Sequence, residues 1–176
     1  MNLWLRHLAS VVALPFVVTV AVPVWLARRD HSMPGVGSTP LSILAQVAGL
    51  LLIVIGLLLF LSSFRRFAAE GEGTLAPWDP PQRLVVSGPY RYVRHPMISG
   101  VVFVVFGEAL VLQSQPQLRW ALLFLAINLV YIPLLEEPLL ERRFGPEYAA
   151  YRRHVPLLLP RLNPWNRDDR GVNGSD

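Results

Sequence analysis

Apolar residues fall into four long runs divided by short polar stretches: about Leu3 to Ala27, Leu41 to Phe64, Met97 to Gln113 and Leu118 to Leu135. A helix that crosses a bilayer needs about 20 apolar residues, with a range of roughly 17–25. The pattern therefore predicts four spans, the third and fourth near the short limit. Only Gln113-Ser-Gln-Pro-Gln117 separates those two, which predicts an antiparallel hairpin. Pro15 and Pro23 lie inside the first run and predict a kink there. That run is long for the apolar region of a signal peptide and has no clear small-x-small cleavage site, so it reads as a retained span.

Beyond the fourth run the pattern changes. Leu140, Phe144, Tyr148, Tyr151 and Val155 follow one another at helical spacing and share one face. Arg142, Arg143, Arg152 and Arg153 take up the remainder. The stretch is too charged to span and predicts helices lying along the membrane interface, broken in two at Gly145-Pro146. Between the second and third runs, Glu70 to Pro81 is too rich in Gly and Pro for regular structure. Leu84-Val-Val86 reads as a short extended segment. The fold class expected is all-α: a polytopic membrane bundle with about four spans plus C-terminal interfacial helices. Residues 1–64 would hold the first two spans. Residues 65–167 would hold the Arg65–Pro96 loop, the hairpin and the interfacial helices, and residues 168–176 a disordered tail.

Composition agrees. Of 176 residues, 53% are hydrophobic and 16% charged, where a soluble domain carries about 25% charge. All sixteen basic residues are arginine, and neither lysine nor cysteine occurs. Disulfides, thiolate ligands, cysteine nucleophiles and lysine Schiff bases are excluded. The pI of about 10.1 would point to nucleic acid in a soluble protein, but in a membrane chain the positive-inside rule accounts for it. Four spans place thirteen arginines on the side of the N-terminus, the Arg65–Pro96 loop and the tail, and leave Arg28, Arg29 and Arg119 opposite. The arginine-rich side is expected to be cytoplasmic, in a bacterial inner membrane.

The densest chemistry is Gly88 to Gly100, GPYRYVRHPMISG. Pro96 suits the first turn of a helix, where its missing N–H has no partner in any case. Arg94 and His95 then stand at a helix N-terminus, which favours an anion. Glu136 and Glu137 fall where the fourth span ends. Buried carboxylates there need a positive partner, which would be an arginine or a ligand. Glu108, about three turns into the third span, is either a site residue or a partner for Gln46, Asn128 or the arginines opposite. His7, His31, His95 and His154 have no metal-ligand spacing, so no metal is expected. There is no G-x-S-x-G elbow and no phosphate-binding loop, and Gly71-Glu-Gly73 alone carries no weight.

Three stretches together carry a resemblance: GTLAPWDPP (Gly73 to Pro81), LVVSGPYRYVRHPMISG (Leu84 to Gly100) and EEPLLERRFGPEYAAYRRHVP (Glu136 to Pro156). Over roughly the C-terminal two-thirds, the chain resembles the isoprenylcysteine carboxyl methyltransferase family and its phospholipid N-methyltransferase relatives. The resemblance implies an integral membrane methyltransferase that uses S-adenosylmethionine, with a cytoplasmic cofactor pocket and a lipophilic acceptor entering from the bilayer. It implies that Arg94 and His95, with Pro96 and Gly100 of the same motif, hold the carboxylate end of the cofactor. Tyr90 would wall the pocket, Glu136 and Glu137 would bind amino or ribose groups, and Tyr148 would be a pocket or lid residue. A carboxylate acceptor needs no base. An amine acceptor must lose a proton, for which Glu108 and Glu137 are the candidates. One departure is Ile98, where the family often has tyrosine. Partners expected are the lipophilic substrate and membrane lipids, with no nucleic acid. A nicotinamide-dependent membrane reductase and a non-catalytic scaffold are the competing readings.

Overall fold

The computed structural model describes residues 14–29, 39–70 and 83–166. Among them the structure is helical, with no strand. The start of the first apolar run, the Gly73–Pro81 motif and the 168–176 tail lie outside the described residues.

The first described helix contains a π-type turn, Val17–Ala21, followed by α1 (Val22–Arg29). Pro23 accounts for the turn. In the wider i→i−5 pattern, shown by the Val22 N–H donating to Val17, the carbonyl of Val18 would wait for an N–H that proline lacks. The Trp120 indole donates to Val18 O instead, at 3.0 Å. The Gln117 amide donates to Pro23 O at 2.7 Å. Thus the first run is stitched to the fourth by side chains that satisfy carbonyls in an apolar setting.

Helix α2 (Pro40–Glu70) begins with Thr39 accepting from Ser42 N at 3.2 Å and Pro40 following it. Its 31 residues extend about 46 Å at 1.5 Å per residue, longer than the roughly 30 Å of bilayer hydrocarbon. Its burial pattern is that of a soluble helix turned inside out. The buried positions are Ser42, Gly49, Gly56, Ser63 and Phe67, whereas Leu44, Leu51, Leu58 and Leu61 are exposed. The four small residues recur every seventh position, and the two glycines form the seam with α3 (Pro96–Leu112). There Gly56 meets Gly100 and Gly49 meets Gly107, backbone to backbone. A Cβ on any of the four would come within 2.6 Å of the opposing carbonyl oxygen. Small-residue seams are how helices associate in lipid, where leucine gains nothing by burial.

Helix α3 is the centre of the bundle, with Val101, Val102, Val104, Val105 and Ala109 buried. It ends at Gln113 in the left-handed conformation, φ 49°. Gln113 donates to Ser42 O at 3.2 Å and also to Ser42 Oγ, tying this end to the start of α2. Ser114 caps α4 (Gln115–Tyr131), which packs back on α3 as the expected hairpin.

Of the four expected spans, the described residues bear out two by length and composition. Among the described residues, these are α2 and the 30-residue stretch Gln115–Phe144. Helix α3 has 17 residues, about 25 Å. The second segment is longer than the fourth apolar run because α4 does not stop at Leu135. It passes through a π-type turn, Ile132–Glu136, into α5 (Glu137–Phe144). The break comes at Gly145, φ 56° and ψ −136°, a conformation essentially restricted to glycine. Helix α6 (Pro146–His154) follows.

The apolar face Leu140, Phe144, Tyr148, Tyr151 and Val155 does line up, but it does not lie on lipid. It packs with Leu84, Val86 and Trp165 into a second core, separate from the Val18–Val101–Val105–Ala121 core of the bundle.

Gly56→Val should force α2 and α3 apart. Overpacked sites cost about 1–3 kcal/mol, and rigid backbone opposite the new side chain places this site at the upper end. Thermal unfolding in detergent should show a large loss for Gly56→Val and none for the lipid-facing Leu57→Val.

Candidate functional site

The N-terminal end of α3 is built by the chain folding back on itself. A 3-10 turn, Gly88–Arg91, leads into Arg94 and His95. The strap after α6 then runs alongside. Arg94 N donates to Pro156 O at 2.9 Å and His95 N to Leu157 O at 3.2 Å. Farther on, Arg161 N donates to Tyr92 O and Trp165 N to Arg91 O, both at 3.0 Å. The Arg91 Nε returns the contact to Trp165 O at 3.0 Å. Ser99 Oγ donates to Leu158 O at 2.6 Å, and Tyr151 OH to Tyr90 O at 2.6 Å. Part of the backbone donor capacity expected to receive an anion is thus used within the chain, and the free polar chemistry at this end is that of side chains.

Those side chains converge. Glu137 is buried, its side chain 2% exposed, between two guanidiniums: Arg94 Nη1 lies 2.5 Å from Oε1 and Arg152 Nε lies 3.0 Å from Oε2. Arg152 also reaches Glu141 at 3.2 Å. His95 Nδ1 stands 3.3 Å from Glu136 Oε1. The π-type turn, closed by the Glu137 N–H donating to Ile132 O, ends on Glu136 and leads directly into Glu137. Through it the lipid-facing Leu134 and Leu135 give way to a buried Glu137.

The cluster is charged but not satisfied. The Arg94–Glu137 contact is close yet misaligned for a hydrogen bond. Arg94 Nε and Nη1, His95 Nε2, Glu137 Oε1 and Tyr148 OH are all buried without a hydrogen-bond partner. Buried polar atoms are nearly always paired, and five of the seven exceptions among the described residues gather here. The other two are Gln46 Nε2 and Glu108 Oε2, in the α2–α3 pair.

Burial pushes the phenols of Tyr90, Tyr148 and Tyr151 above the usual tyrosine range. Glu136 adds to the shift for Tyr90. Glu137 adds for Tyr148 against the opposing Arg94, and Tyr90 and Tyr148 add for Tyr151. All three stay neutral across the physiological range and offer O–H donors.

Of the residues singled out from sequence, Arg94, His95, Glu136, Glu137 and Tyr148 come together, with Tyr90 beside Glu136 and bonded to Tyr151. Pro96 is buried at the first position of α3. Gly100 is spent on the contact with Gly56. Ile98 is half-buried in the first turn. Glu108 is not brought to the cluster; it lies twelve residues along α3 from Pro96, about 18 Å at 1.5 Å per residue. Sequence reasoning missed Arg152 as the second partner of Glu137, and the strap from Pro156 to Trp165. The signal for Arg152 was present in its place on the arginine face of α6, one turn from Tyr148. The strap has no periodicity to find.

Residues 44–147 match the family model described as phospholipid methyltransferase. Methanethiol S-methyltransferase 2 of Bradyrhizobium diazoefficiens is 35% identical over 83 residues, 46% of this chain and 30% of that protein. The chain therefore aligns with less than a third of the length of this curated relative. No solved structure matches significantly.

The raised phenols predict an alkaline limit to stability. The unfolded tyrosines lose their protons near pH 10 while the folded ones keep them, so this contribution is complete below about pH 10 and falls above it. Thermal unfolding from about pH 8 to about pH 11 should show that fall. Tyr148→Phe should make it shallower without lowering stability near neutrality, because the deleted hydroxyl has no partner to leave behind.

Proposed function

The chain belongs to the phospholipid methyltransferase family, and from that premise we propose an integral membrane, S-adenosylmethionine-dependent methyltransferase acting on a lipophilic or lipid acceptor. The Arg94–His95–Glu136–Glu137–Tyr148 cluster would hold the cofactor. The observation that supports this placement is the gathering of buried, unpartnered polar atoms of both charge signs at one end of the bundle. An amino-acid zwitterion fits such a cluster. Arg94 and the imidazole of His95 suit a carboxylate, and Glu136 and Glu137 suit an ammonium or ribose hydroxyls. In the free chain the opposite charges hold one another.

The cofactor supplies, when bound, a methyl group on an electron-poor sulfonium sulfur. The chain's own work is positioning and exclusion of water. The second core under Tyr148 and Tyr151 keeps the floor dry, and the neutral tyrosines present rings and O–H groups without adding charge. A carboxylate or thiolate acceptor asks for no base. For an amine, Glu136 is the better placed carboxylate, since its side chain is 35% exposed and paired to one histidine, whereas Glu137 is locked between two arginines. Glu108 lies too far along α3 to serve the same pocket.

The acceptor proposed is of the isoprenylcysteine-carboxylate or phospholipid-amine kind, with the named relative adding a small thiol as a third class. The site end is proposed to face the cytoplasm on the strength of the thirteen-arginine side. The first run and α3 would complete four crossings. Segment 65–167 then carries the whole cluster. The reductase and scaffold readings have no comparable support.

Calorimetry on the detergent-purified full chain tests the proposal. S-adenosylmethionine and S-adenosylhomocysteine should bind saturably and NADPH should not. Glu137→Gln and His95→Ala should each weaken binding at least about tenfold, near 1.4 kcal/mol. Binding of NADPH alone, or wild-type affinity in both folded variants, would overturn the site. Transfer of labelled methyl to bilayer lipids or to an alkyl thiol then distinguishes the acceptor classes.

A further inference from the structure

The strap between α6 and Trp165 has a side the cofactor site does not use. Leu159 is 73% exposed and Leu162 is 96% exposed, the highest value among the exposed large apolar residues. Scattered exposed leucines are ordinary on a protein surface. These two stand three residues apart, and their height relative to the bundle is fixed. Ser99, one turn inside α3, donates to the carbonyl of Leu158 at 2.6 Å, so the strap lies level with the first turn of an apolar helix. With α3 as one of the proposed crossings, the next residues would project at the boundary between hydrocarbon and water. Pro160 and Pro164 restrict the backbone on either side of Leu162.

The neighbourhood is basic. Arg161 Nη1 donates to His154 O at 2.8 Å, which draws Leu162 to the last turn of α6. Arg153 is exposed on that turn and has no ion-pair partner among the described residues. The apolar face of α6, meanwhile, is consumed by the second core, so it cannot be what holds this end to lipid.

We infer that Leu159 and Leu162 enter the headgroup–acyl boundary of an anionic phospholipid leaflet, with Arg153 meeting the headgroup charge. Apolar side chains beside arginines are the pattern of interfacial attachment. The same strap supplies the carbonyls that accept from Arg94 N and His95 N. Contact with the bilayer thus braces the backbone under the charged cluster. This attachment stands on the strap's own geometry and would hold even with a different ligand in the cluster.

The chain has no cysteine, so Leu162→Cys and Leu159→Cys each give a single labelling position at an exposed site. Each variant carries an environment-sensitive fluorophore and is reconstituted as the full chain in nanodiscs. One set contains phosphatidylglycerol with phosphatidylcholine, the other phosphatidylcholine alone. The expected result is blue-shifted emission that is lost when lipids brominated near the headgroup end of the acyl chain are used, more so with phosphatidylglycerol. Water-like emission quenched by aqueous iodide in both compositions would overturn the inference. Blue-shifted emission indifferent to brominated lipid would overturn it too, and would mean that a second copy covers the strap. Equal lipid quenching in the two compositions would overturn the assignment to an anionic surface.

Discussion

Glu137 carries its charge almost out of contact with water, and the arrangement of this end of the molecule follows from the need to hold it there. Desolvating a carboxylate costs several kcal/mol unless opposite charge comes with it. Two guanidiniums supply that charge: Arg94 from the approach to α3 and Arg152 from α6, 58 residues apart in sequence. The ion pairs therefore do the work of a tertiary clamp, drawing α6 back over the junction of α4 and α5. The clamp is incomplete, since Glu137 Oε1 and the Nε and Nη1 of Arg94 lack a hydrogen-bond partner. An incomplete clamp of buried charges is costly as architecture alone. A zwitterionic ligand of the kind proposed would satisfy both signs at once.

Two different packing rules meet at this site. In the bundle, glycines and serines face inward and leucines outward, and backbones approach closely enough that a single Cβ would not fit. Below the cluster the ordinary soluble rule returns, with Tyr148, Tyr151, Val155 and Trp165 buried against one another. Tyr151 stacks edge-on with Tyr148 at 6.2 Å between ring centroids and lies 5.7 Å from Trp165. The charged cluster occupies the boundary between the two regimes. A water-soluble cofactor and a lipophilic acceptor would need to meet at such a boundary.

The strap joins the regimes mechanically. It accepts from the backbone of Arg94 and His95, takes the hydroxyl of Ser99 inside α3, and ends with Trp165 in the lower core. Its connections are mostly backbone hydrogen bonds, which hold geometry without demanding particular side chains. That is why a segment without periodicity or charge pattern can position Arg94 and His95.

Local patterns in the sequence determined the helices, the hairpin, the break at Gly145 and the shared face of Leu140 to Val155. Each rests on residue type and short spacing: apolar length, helical period, proline at a first turn, a Gly-Pro pair. The grouping of Arg94, His95, Glu136, Glu137 and Tyr148 was what the family resemblance implied. Other features needed the folded chain. Sequence spacing alone did not show that Gly100 serves a helix contact, because the opposing glycine is 44 positions away. Nor did it show that Arg152 shares Glu137, or that α4 runs on through a π-type turn into α5. Tertiary structure decided these because close approach, charge pairing and burial depend on which distant segments become neighbours. In this chain those neighbours are chosen by small-residue seams and backbone bonds that leave little mark on composition.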